Sequence, residues 1–171
     1  SNRGLILLER AEYEAEVGGD PGPWLERSLA VLRRAMELTP EMAAGFNNLG
    51  NAYKLQAVVE MAHGRDPRAS LDLAVTAYKQ AIEVDPALAY QFNNLGFSWA
   101  LRAEYEAISG GDPLPALAEA RSSLGRALEI EPDMAFAHHN LALCCRTEAR
   151  YLVNNDRSPG AVLSRGRRHA R

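Results

Sequence analysis

The sequence predicts an all-α protein, a solenoid of antiparallel helix pairs with about eight helices, and three observations carry that expectation. The chain repeats itself with a period of 46 residues: Phe46-Asn47-Asn48-Leu49-Gly50 returns as Phe92-Asn93-Asn94-Leu95-Gly96 and, degraded, as His138-His139-Asn140-Leu141-Ala142. Two proline ladders keep the same period, Pro40, Pro86 and Pro132 in one and Pro21, Pro67, Pro113 and Pro159 in the other. The segments between prolines carry apolar residues at helical spacing, with no strand-like alternation. One such helix pair cannot bury its apolar face alone, so neighbours must stack to share a core.

Each helix has its own start and stop signals. The first is expected over residues 1–17; Asn2 and Gly4 stand in register with Asn48 and Gly50, so the chain should begin inside the first helix of a repeat, which Gly18 ends. Asp20 caps and Pro21 opens the second helix, residues 21–38. Pro40 is expected both to stop it and to open the third, residues 41–63, which runs to Gly64, a residue suited to a left-handed cap. Asp66 and Pro67 start the fourth, residues 67–84, and Pro86 joins it to the fifth, residues 87–109. Gly110, Asp112 and Pro113 lead into the sixth, residues 113–130, and Pro132 into the seventh, residues 133–155. The eighth, residues 159–170, contains Gly160 and Gly166. Repeats are therefore expected at 1–40, 41–86, 87–132 and 133–171, within one repeat domain.

Composition narrows the function classes. At 47% apolar and 24% charged residues the chain reads as an ordinary folded protein. It has no apolar run of about eighteen residues or more, and the short run from Leu5 to Leu8 lacks a signal peptide's shape, which points to the cytoplasm and away from a membrane. Cys144 and Cys145 are adjacent, so on a helix they point apart and suit a reducing compartment. The net charge of −3 hides an asymmetry: residues 146–171 carry +5, leaving −8 for the rest. Only the tail could draw polyanions, and the acidic remainder argues against nucleic-acid binding.

The segment from Phe46 to Tyr53 resembles the first helix of a tetratricopeptide repeat, with its large aromatic, Leu49-Gly50 and then Tyr53. Leu95-Gly96 with Trp99 repeats the pattern, and Ala74, Tyr78, Ala81 and Pro86 match the second helix. The resemblance implies a right-handed superhelical solenoid and a role in binding proteins. The departure is length, since the family repeat has about 34 residues and this one about twelve more. Shared between two helices, the insert lengthens each by about 9 Å. It reads as helical, because Arg10 to Ala15 recurs as Arg102 to Ala107 with good helix formers. Similar long repeats trail the kinase domains of some bacterial serine/threonine kinases.

In the family the first helices line a concave groove. The resemblance therefore implies a peptide-binding groove of Asn47, Asn48, Asn51 and Lys54, then Tyr90, Asn93, Asn94 and Phe97, then Phe136, His139 and Asn140. Asparagine is a mediocre helix former, so something must offset its presence here, either contacts to a bound backbone or hydrogen bonds between neighbouring helices. Some family members clamp a partner's terminal carboxylates with Lys and Arg; the matching positions carry Asn47, Asn51, Asn94, Phe136 and Asn140, which argues against that mode.

Nothing in the sequence points to catalysis. No glycine-rich phosphate loop joins a strand to a helix, and no nucleophile stands with a base, so no enzyme activity and no cofactor are expected. His138, His139, Cys144 and Cys145 lack the spacing of metal ligands on one helix face. Glu12, Glu14, Glu104 and Glu106 read as solvated surface. The expected function is that of an interaction scaffold, part of a larger protein, binding a peptide or partner helix. The alternative is a self-assembly module, a homo-oligomer formed through its terminal helices.

Overall fold

The computed structural model describes residues 2–155 and 158–169. Asp156, Arg157 and Arg171 of the basic tail, and the side chains of Arg165, Arg167 and Arg168, lie outside what is described. The described residues form eight helices and no strand, an all-α chain. In order they are α1 (Asn2–Glu16), α2 (Gly22–Leu38), α3 (Ala43–Ala62), α4 (Arg68–Val84), α5 (Ala89–Ser109), α6 (Leu114–Ile130), α7 (Ala135–Asn154) and α8 (Gly160–His169). The chain divides into two compact units, Ser1–Pro86 and Ala87–Arg171, at the joint that Pro86 marks.

In the first unit α1 pairs with α2 and α3 with α4. Gly4, early in α1, faces Leu32, late in α2, which makes the pair antiparallel; a Cβ on Gly4 would lie 2.8 Å from Leu32 Cδ2. Gly50 repeats the device in α3, where a Cβ would lie 2.6 Å from Tyr78 Cε1. The hydrogen side chain is what allows these backbones to approach large buried neighbours. Ser28 adds a hydrogen bond, its Oγ donating to the Gly4 carbonyl at 2.8 Å. Leu8, Leu32, Leu71, Ala74 and Tyr78 are among the buried side chains of this unit.

The second unit pairs α5 with α6 and α7 with α8. Gly96 lies against Leu124 as Gly50 lies against Tyr78, and its hypothetical Cβ would also sit 3.0 Å from the Ala120 carbonyl oxygen. Leu117, Ala120, Leu124, Ala127, Ala137 and Cys144 form the buried core, with Phe92 and Trp99 packed against it. A smaller cluster of Cys145, Ala149 and Val162 holds α8 on α7, and Gly166 allows that approach, since a Cβ there would meet Cys145 Cβ at 2.9 Å.

The glycine-containing joints follow the sequence expectation. Gly18, Gly64 and Gly110 have φ of 75°, 68° and 83°, the left-handed region where glycine carries no penalty. The amides of Gly19, Arg65 and Gly111 reach back to the carbonyls of Glu14, Glu60 and Glu106, each at 2.8 Å. One oxygen each of Asp20, Asp66 and Asp112 then accepts from the amide two residues on, at 2.9, 3.0 and 3.0 Å, and caps the next helix.

The glycine-free joints differ from expectation. Pro40, Pro86 and Pro132 end a helix without opening the next, which begins three residues later at Ala43, Ala89 or Ala135. The proline and the residue after it form a turn. Met42, Leu88 and Met134 then stand extended at ψ of 100°, 105° and 98° before helical geometry resumes. The fixed φ of proline suits the first corner of a turn as well as a helical first position.

Candidate interaction face

In the second unit, α5 and α7 pack against each other and join two of the expected groove residues in one hydrogen bond. Asn140 Nδ2 donates to Asn93 Oδ1 at 3.0 Å, and both residues are buried. This bond pairs a donor of one amide with the acceptor of the other across the helix pair, which offsets the poor helix propensity of asparagine. At helical spacing from them lie Tyr90 and Phe97 on α5 and Phe136 on α7, while His139, next to Asn140 in sequence, points away from that face. Tyr90 is 37% exposed and Phe136 73% exposed, the highest exposure among the large apolar side chains described. Asn94 and Phe97 are half-buried, and His139 is exposed. The face thus has a polar buried floor and an aromatic exposed rim.

In the first unit the expected residues sit on α3. Asn47 is buried, and Asn48, Asn51 and Lys54 are half-buried. Asn51 Oδ1 accepts from the Tyr78 hydroxyl at 2.7 Å and from Lys54 Nζ at 3.4 Å. Partial removal from water pushes the Lys54 pKa down, opposed by the nearby Glu12 carboxylate. The Glu12 carboxyl is pushed up by the same loss of water, opposed by Lys54. Burial raises the Tyr78 phenol strongly, so Tyr78 acts here as a neutral donor.

Of the four carboxylates expected as solvated surface, Glu12 is exposed, while Glu14, Glu104 and Glu106 are half-buried and paired. Glu14 pairs with Arg10 at 2.6 Å, Glu106 with Arg102 at 2.9 Å and Glu104 with Arg150 at 3.8 Å. Arg121 of α6 also pairs with Glu148 of α7, a contact between helices that sequence reasoning missed. Its two members are 27 residues apart, beyond the reach of any pattern along one helix. Arg33 likewise escaped notice; its Nε donates to the Tyr53 hydroxyl at 2.7 Å and its guanidinium lies 5.3 Å from the Tyr53 ring.

Cys144 and Cys145 are buried free thiols, and burial pushes Cys144 up to about 12, so it stays protonated and unreactive at neutral pH. His138 Nε2 lies 2.9 Å from the Pro132 carbonyl oxygen, a local tether. Among the described residues no three His, Cys, Asp or Glu side chains gather into a group that could hold a metal ion. Nor is any described helix long and apolar enough to cross a membrane. No protein-family model matches this chain, and neither does any curated protein.

Proposed function

We propose that this chain is an interaction scaffold, a solenoid of long tetratricopeptide-like helix pairs that binds a peptide or partner helix. The observation that carries this reading is the α5–α7 face, where Tyr90 and Phe136 stay exposed beside a floor of mutually bonded asparagines. Exposed aromatic side chains cost little conformational entropy to order and bury large areas, which is why they anchor binding surfaces. The asparagines contribute differently from a groove that reads a peptide backbone through every amide. Asn93 and Asn140 hold two helices in register, and affinity comes from the aromatic rim. The family likeness rests on Gly4, Gly50 and Gly96, each opposite a large residue of the following helix, at one period.

The reading makes the chain a binder and not an enzyme, working in the reducing cytoplasm where thiols such as Cys144 and Cys145 persist. The test is a random-peptide display selection on the immobilised full chain, followed by affinity measurement of the enriched peptide. Tyr90→Ala should weaken that peptide at least about tenfold, the range of an aromatic anchor, with an unchanged melting temperature. Failure to enrich any sequence, or an affinity indifferent to Tyr90→Ala, contradicts the proposal.

A further inference from the structure

Most charged side chains of the second unit are committed to partners within it. Arg102 pairs with Glu106 at 2.9 Å, Arg150 with Glu104 at 3.8 Å, Arg121 with Glu148 and Arg126 with Glu129. Asp112 is committed too, because its carboxylate accepts the Leu114 amide at 3.0 Å and caps α6. Glu131 and Asp133 differ. Both are exposed, and among the described residues their carboxylates enter no ion pair and no hydrogen bond. Nor do they cap: α7 begins after Met134, with no side chain bonded to its first amides. A helix start favours a nearby acid, yet the counterpart of Asp133 before α5 is Ala87, so the repeat does not require one there.

These two carboxylates stand beside the most exposed large apolar side chain described. Phe136, 73% exposed, follows Asp133 by three residues and Glu131 by five, so their backbones lie at most about 10 and 17 Å from its own. A Lys or Arg next to an apolar side chain seated on Phe136 has that turn within its reach. The exposed cation on the same helix, Arg146, stands ten residues beyond Phe136, about 15 Å further along the axis. Resting on the reading of the α5–α7 face as a binding surface, we propose that its partner is a basic apolar protein segment. A large apolar side chain of that segment packs against Tyr90 and Phe136, and a Lys or Arg beside it meets Glu131 and Asp133. An acidic segment would meet two like charges at the same place, so the pair of carboxylates also selects against the wrong partner.

Two displayed peptide libraries, selected on the immobilised full chain, test it. Both are random around a central Leu, which has Lys on either side in one library and Glu on either side in the other. The basic library should enrich and the acidic one should not, and the affinity of an enriched basic peptide should fall as salt rises, since the charges involved are exposed. Glu131→Lys combined with Asp133→Lys should weaken that peptide at least about fivefold, because each of two exposed attractions becomes a repulsion. The same variant should bind the peptide better once its Lys residues are changed to Glu, an exchange of preference that a loss of helix stability alone would not produce. Equal or stronger enrichment of the acidic library, or affinity indifferent to salt and to the charge reversal, overturns the inference; if Tyr90→Ala still weakens those peptides, the binding face itself stands. Enrichment of neither library overturns both.

Discussion

Gly50→Ala probes the packing that three of the four helix pairs share. The added Cβ would lie 2.6, 2.7 and 2.8 Å from Cε1, Cδ1 and Cζ of Tyr78, closer than carbon atoms approach without displacement. The ring cannot easily yield, because it is fully buried and its hydroxyl is committed to Asn51 at 2.7 Å. Overpacking a tight core costs about 1–3 kcal/mol, and stretching the Tyr78 hydrogen bond adds about 1 kcal/mol. Alanine returns about 1 kcal/mol through better helix propensity. The net expectation is a loss of about 2 kcal/mol, read as a shifted urea midpoint with an unchanged slope in far-UV circular dichroism. A neutral or stabilising Gly50→Ala would show that α3 and α4 do not meet so closely, and the account of the repeat glycines would fail.

Gly125→Ala is the matched control: its Cβ would meet nothing within 4 Å, so chemical denaturation should show a gain of about 0.5–1 kcal/mol from helix propensity alone, and a loss would contradict the open space. Asn140→Ala removes the donor from the buried Asn93 oxygen and should cost about 1–3 kcal/mol, while the double variant with Asn93→Ala should cost clearly less than the two singles combined; additive losses would show that the amides are not coupled. Because the folded Cys144 thiol titrates near 12 and an unfolded thiol near about 8.5, its contribution is fully present below the lower value and is lost as pH rises towards the upper one, at up to about 1.4 kcal/mol per pH unit. Cys144→Ala should make unfolding free energy less steep with pH in that window, and an unchanged slope would refute the assignment.

The helices were legible because their punctuation is local. A left-handed glycine, an Asp and a proline within four residues act through bonds that span two to five residues, so Gly64 to Pro67 can be read directly. The Pro40 joint was misjudged because proline suits a turn and a helix start equally well. Gly50 and Tyr78 stood out through their match to the repeat pattern, and the approach between them shows only once α3 and α4 pack. The partners of the asparagines were not, since periodicity places Asn93 and Asn140 on facing helices without saying that they bond to each other. Glu12 and Lys54 went unpaired in the sequence because their interaction crosses from α1 to α3, and the change in solvation that shifts both exists only after those helices pack.

The central claim, that the aromatic rim of α5 and α7 is a binding face, is tested most directly by NMR titration of the isotope-labelled chain with a peptide enriched by display selection. Shift changes should concentrate on Tyr90, Asn94, Phe97 and Phe136 and saturate together along one binding curve. Changes confined to other helices, or scattered shifts that never saturate, would contradict the claim.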